Sequence, residues 1–156
     1  MNGGQIEIAR EAMLATAIAT DMLKGVSLAT GTFPGYHMIQ PFGTKARMAA
    51  DRYAVAANGS STPLAEGMLW AGKHLAKRRE ARKVLIVATD GIPDSIPAAQ
   101  AAGVILGATQ VDVIGYGISV DISEVIPRSQ TLMHVNELPA ALMAMLQDVL
   151  SLSLAA

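Results

Sequence analysis

Lys83-Val84-Leu85-Ile86-Val87-Ala88-Thr89-Asp90-Gly91-Ile92-Pro93-Asp94 carries five apolar or small residues, Val84 through Ala88, without a polar break into a turn. An unbroken, β-branched run of this kind predicts a strand buried on both faces, as in a parallel sheet covered by helices. Asp90 then stands where the strand leaves the sheet, the end at which open α/β sheets collect ligands. Asp-Gly is equally a turn dipeptide, so position alone assigns Asp90 to a site or to a turn with equal weight.

The flanking sequence repeats the alternation of strand and helix. Helical spacing runs from about Gln5 to Met22 with Ile6, Ala9, Met13, Ala17 and Thr20 on one face, and Gly25 supplies a stop. Val26 to Thr32 reads as a strand, Phe33-Pro34-Gly35 as a turn, and Tyr36 to Phe42 as a weaker edge strand broken by Pro41. Lys45 to Ala57 returns to helical spacing. A hydroxyl-rich loop, Asn58-Gly59-Ser60-Ser61-Thr62-Pro63, then opens a helix carrying Leu64, Met68, Ala71 and Leu75, with Pro63 suited to its first turn.

Beyond the central run, Ser95 to Gly107 predicts a small-residue helix, Gln110 to Ile118 a second buried strand, and Thr131 to Val135 a third. A final helix from Glu137 to about Leu154 bears Leu138, Leu142, Met145, Val149 and Leu152 in one stripe. The order predicts one α/β domain over residues 1–156: a doubly wound, mostly parallel sheet with helices on both faces.

Composition limits function. The 156 residues contain no Cys, which removes disulfides, thiolate metal sites and Cys nucleophiles. Twelve basic and thirteen acidic residues leave a net charge of −1, so nothing draws the chain globally to nucleic acid or an anionic membrane. No apolar run is long enough to span a bilayer, and MNGGQIEIAR lacks the pattern of a signal peptide; the expected location is cytoplasmic. Half of the basic residues fall in Lys73 to Lys83, which fits a helix end better than a binding patch.

Three loops are candidates for chemistry: Gly59 to Thr62, Thr89 to Asp94, and Gly115 to Asp121. A hydroxyl-rich loop facing a carboxylate suits Mg²⁺, a hard cation that takes oxygen ligands, but two donors are too few. Thr62 has a competing role as a helix N-cap. Gly115-Tyr116-Gly117 lacks the third glycine of a dinucleotide fingerprint, and Gly43-Thr44-Lys45 lacks P-loop spacing. A triad of Ser60 or Ser61 with Asp90 and His134 is conceivable, without a nucleophile elbow to support it.

Taken together, GQIEIAREAM, GSSTPL and KVLIVATDGIPD followed by VDVIGYGI resemble a von Willebrand factor A domain over nearly the whole chain. The ending RSQTLMHVNELPAAL is similar to the bacterial branch that includes cobaltochelatase-like and nitric-oxide-reductase-activation proteins. The resemblance implies a metal-ion-dependent adhesion site in which Thr62 and Asp90 match the family Thr and Asp. Its D-x-S-x-S stretch has no counterpart, and Met1-Asn2-Gly3-Gly4 resembles the residues immediately after that motif, so the chain is expected to begin just beyond it.

The central strand would then be absent. Either the strands at Val26 to Thr32 and Val84 to Thr89 pair directly, or another segment fills the gap. With most ligands missing, Thr62 and Asp90 are expected to hold no tight metal, Mg²⁺ being the cofactor only of a complete site. The implied function is a non-enzymatic interaction module, an adaptor whose partner class is an AAA-type ATPase, with Ser60, Ser61 and Asp94 on the binding surface. Self-association through the unfilled sheet is a further expectation, and a small hydrolase or phosphate-handling enzyme using Asp90 and Ser60-Ser61-Thr62 is the alternative.

Overall fold

The computed structural model describes residues 3–56 and 61–154. The chain divides into two compact units, one built from Gly31–His37 and Asn58–Met133, the other from Asn2–Thr30, Met38–Ala57 and His134–Ala156.

The first unit holds a three-stranded parallel sheet of β3 (Lys83–Thr89), β4 (Val111–Ile118) and β5 (Ser129–Leu132), in that order. Seven consecutive register partners, from Lys83 with Val111 to Thr89 with Gly117, join β3 to β4 without a bulge. Two helices, α2 (Leu64–Ala76) and α3 (Ile96–Ala108), pack on each other and on the sheet. Their Leu64, Met68, Ala99, Ala102 and Leu106 form one cluster with Val87 and Val111. The helices meet closely: a Cβ on Gly72 would lie 2.3 Å from a methyl of Leu106. Ser95 begins α3 as its N-cap, its Oγ accepting from the Ala98 N–H at 3.3 Å.

In the second unit α1 (Gly3–Asp21) packs against α4 (Leu138–Leu154). Ala9, Ala17 and Thr20 of the expected α1 stripe are buried, as are Leu138, Leu142 and Met145 of α4. Ala17, Ile39, Ala46, Ala49 and Tyr53 make a smaller core. Tyr53 is nearly fully buried; its hydroxyl donates to Gln40 Oε1 at 2.7 Å and accepts from Thr30 Oγ1 at 2.9 Å. Burial raises the Tyr53 pKa above the ordinary 10.0, because a phenolate would lose hydration there.

Several sequence expectations need correction. The expected helix from Lys45 to Ala57 is, over residues 45–56, not an α-helix but two 3-10 turns, Ala46–Met48 and Ala50–Tyr53, meeting at Ala49; Ala57 lies outside the described residues. The Ala46 N–H is tied to Asp21 Oδ2 at 2.7 Å, and a period of three suffices to bury Ala46 and Ala49 together. Of Val26 to Thr32 only β1 (Thr30–Thr32) is a strand, paired with β2 (His37–Gln40) in a separate two-stranded sheet. Direct pairing of β1 with β3 therefore does not occur. The third strand lies two residues earlier than predicted, since Arg128 O and Ser129 engage Gly115. Most consequentially, β3 is not buried on both faces: Val84, Leu85, Ile86 and Ala88 are only half-buried.

Candidate functional site

At the carboxyl end of β3 the chain turns through Asp90 and Gly91, with the Gly91 N–H donating to Thr89 Oγ1 at 3.1 Å. The loop before α2 comes down onto this turn. A Cβ on Gly91 would stand 2.1 Å from Thr62 Oγ1, so the absence of a side chain there is what lets the Thr62 hydroxyl sit against the Asp90-Gly91 turn. Two reciprocal bonds hold the loops together: the Thr62 N–H donates to Asp94 Oδ1 at 2.7 Å, and the Asp94 N–H donates to Thr62 O at 3.0 Å. Thr62 and Asp90 are thus brought to one turn, and Asp94 has the additional task of fastening the Thr62 loop.

Thr62 is not a helix cap. The residue at the N-cap of α2 is Pro63, one position before the first turn expected for it, and no side chain caps this helix. Ser61 is exposed, while Gly59 and Ser60 lie outside the described residues. His134 serves its own neighbourhood: its N–H donates to Glu137 Oε1 at 2.8 Å at the start of a 3-10 turn.

The third loop follows β4. Gly117 cannot carry a side chain, because its Cβ would lie 2.0 Å from Val120 O. Ser119, at φ +58°, donates its N–H to Leu132 O at 2.7 Å and its Oγ–H to Met133 O at 2.8 Å, fixing the loop to the end of β5. Asp121 Oδ1 accepts from the Ser123 N–H at 2.8 Å, which holds the Asp121 carboxyl below its usual pKa.

Two apolar side chains on this rim were missed in the sequence. Ile92 is 69% exposed and Met133 67% exposed, each following a parallel strand that buries its other apolar residues more deeply. The signal was present in Asp90-Gly91-Ile92-Pro93, an apolar residue inside a turn, where nothing local can bury it.

No family model matches the chain, and no curated protein matches it by sequence. Solved structures do. Proximal thread matrix protein 1 from mussel byssus, solved with a zinc-occupied MIDAS motif, superposes at a TM-score of 0.64 and 16% identity, over 90% of this chain and 41% of its own. An aerotolerance-related membrane protein from Bacteroides fragilis superposes at 0.69 and 12% identity, over 92% of this chain and 88% of its own. The fold is of the von Willebrand factor A type. This chain spans less than half the length of the mussel protein.

Within that von Willebrand factor A fold, the donors at hand bear on whether an adhesion-site metal would fit. Thr62 offers one hydroxyl and Asp90 one carboxylate, while Asp94 is engaged with the Thr62 backbone. Among the described residues no three His, Asp or Glu side chains converge on one point. Counting the described residues alone, Thr62 and Asp90 are two donors, a poor match for a cation that demands six oxygens and gives up its water reluctantly.

Proposed function

We propose that this chain is a non-enzymatic protein-interaction module that docks a partner protein on the carboxyl rim of the sheet in its first unit. The observation that carries this reading is the rim itself. Ile92 and Met133 present apolar surface on the loops of the rim that also carry Asp90, Asp94 and Asp121, the mixture of an apolar anchor and a polar border used in protein docking. The von Willebrand factor A fold supports the same general reading. The sequence resemblance extends it to an adaptor role with an AAA-type ATPase as the partner class.

In this reading Thr62 and Asp90 shape the rim and bind no tight Mg²⁺. Calorimetric titration with Mg²⁺ is expected to show no micromolar binding; such binding, abolished by Asp90→Ala, would overturn that part. Docking itself is tested by affinity capture of a candidate AAA-type ATPase. Ile92→Asp should abolish capture, and Asp90→Ala should weaken it about tenfold or more, the scale of a lost hot-spot contact. Undiminished capture by both variants would refute the rim as the docking surface. Turnover of an ester or phosphoester that Asp90→Ala abolishes would replace the reading with a hydrolase.

A further inference from the structure

The basic run of residues 73–83 has no part in the rim. It holds six of the chain's twelve basic residues and a single acid, Glu80, whereas the rest of the chain carries six bases and twelve acids. The helix dipole accounts only for its beginning. The last turn of α2 contains Lys73 and His74, and Lys77 is the C-cap, but the dipole fades within that turn and Arg79, Arg82 and Lys83 lie beyond it. Internal pairing takes up two of the cations: Arg78 Nε donates to Glu80 Oε2 at 3.1 Å, and Arg82 Nε lies 3.8 Å from Asp112 Oδ2. Lys73, Lys77 and Arg79 are exposed, and among the described residues no ion pair or side-chain hydrogen bond engages them.

These cations share one surface of the first unit. Trp70, Lys73, His74 and Lys77 stand at i, i+3, i+4 and i+7, one face of α2. Beside it an open cleft of about 460 Å³ is lined by Lys77, Arg78, Arg79 and Glu80. Glu80 is turned onto Arg78, so Lys77 and Arg79 give the cleft its charge. Trp70 is packed in place: a Cβ on Gly31 would stand 2.6 Å from its ring, and the rings of His74 and Tyr36 are centred 5.1 and 6.2 Å away. Because α2 starts at the Thr62 loop and leads back toward Lys83, the surface lies at the amino end of β3, about 20 Å of helix from the rim.

We propose that this surface is a second docking site, which takes an acidic, extended segment of a partner protein. Charge complementarity selects the occupant. An extended segment with Glu or Asp at alternate positions repeats its carboxylates about 7 Å apart, and Lys73 and Lys77, four residues apart on a helix, are about 6 Å apart at Cβ, so successive acids meet successive cations. A nucleic acid matches less well. It calls for a broad positive field and for free aromatic faces on which bases stack, whereas the net charge is −1 and Trp70 is packed against Gly31, His74 and Tyr36. A bilayer also matches less well, because residues 73–83 expose no large apolar side chain to enter it.

The test uses a labelled synthetic peptide with alternating Glu and no aromatic residue, read by fluorescence anisotropy. Trp70, the chain's single Trp, reports from the same face of α2. The peptide should bind at low salt, alter Trp70 emission, and bind more weakly as salt rises. Lys77→Glu with Arg79→Glu should weaken binding about tenfold or more, with thermal unfolding unchanged because both side chains are exposed. If that variant does not fold, a comparable loss in Lys73→Glu decides. No binding at low salt, or undiminished binding by the folded charge-reversal variant, would overturn the proposal. So would tighter binding of a single-stranded oligonucleotide of equal charge, or capture by anionic vesicles in place of the peptide. Ile92→Asp should bind the peptide as the unmodified chain does, so this test and the rim test fail separately.

Discussion

Ile86 and Ile114 are register partners, the same residue type at the same height in adjacent parallel strands. Ile114 is 5% exposed, whereas Ile86 is only half-buried. Their own sequences do not explain this: KVLIVAT is more continuously apolar than VDVIGYGI. What differs is the neighbourhood. Among the described residues β4 has a paired strand on each side and β3 on one. Burial is thus conferred by the second neighbour, and a strand composed for burial but given one neighbour keeps apolar surface in reserve.

The strongest break of this comparison is truncation at the two partner positions. Ile114→Ala should cost about 2–5 kcal/mol in denaturant unfolding, the range for emptying a buried site. Ile86→Ala should cost about half as much, because the site is already half open. Equal losses would mean that the outer side of β3 is covered within one chain.

Overpacking sharpens the contrast from the other direction. Gly117→Ala on β4 places a methyl group 2.0 Å from the backbone oxygen of Val120, and a backbone atom cannot swing aside. A loss of about 3 kcal/mol is expected, at the upper end of overpacking costs. Thermal unfolding unchanged by this substitution would show that the loop after β4 is looser than its bonds to Leu132 and Met133 imply.

Tyr53 tests whether the contrast is confined to the sheet. Tyr53→Phe removes two hydroxyl bonds in the second unit and should cost about 1 kcal/mol at neutral pH. Its pKa is raised in the folded chain, so its contribution is complete below the ordinary value of 10.0 and is lost as pH rises through the folded value. The wild-type chain should therefore lose stability above about pH 10 in a pH series of denaturant titrations, while Tyr53→Phe should show a flatter alkaline limb. Parallel limbs would mean that Tyr53 is not the group responsible.

The smallest effect belongs to Glu80. Its carboxyl is held below the usual range by the Arg78 guanidinium, but the pair is half-exposed and in reach of solvent. Glu80→Gln should leave the unfolding midpoint unchanged, because exposed ion pairs contribute little. A clear shift would mark the basic run after α2 as part of a packed contact.

Local patterns were legible wherever packing agreed with them. α2, α3 and α4 lie within one or two residues of the ends that Pro63, Ser95 and the Leu138 stripe suggest. Thr62 and Asp90 were recognisable as members of one site only through the family resemblance that GSSTPL and KVLIVATDGIPD carry. Legibility failed where long-range tethers won. Asp21 captures the Ala46 N–H across 25 positions, and the helical spacing after Lys45 becomes two 3-10 turns. The run from Val26 resolves into a three-residue strand, because its tail pairs with His37–Gln40 while the preceding residues have no ladder of their own. Asp94's grip on Thr62 spans 32 positions and had no sequence signal.

By itself the sequence determined the parallel α/β order of the chain, because apolar periodicity and helix stops are written within a few neighbouring residues. It also placed Asp90 and Asp94 at the carboxyl end of β3, since that follows from strand order, while Thr62 was set beside Asp90 only by the family resemblance. Tertiary structure alone decided that β3 pairs with β4 alone among the described residues, that Ile92 and Met133 stand out from the rim, and that Gly91 admits the Thr62 hydroxyl. Each of these depends on which segment lies alongside, and exposure is a property of neighbours in space, not of the residue itself.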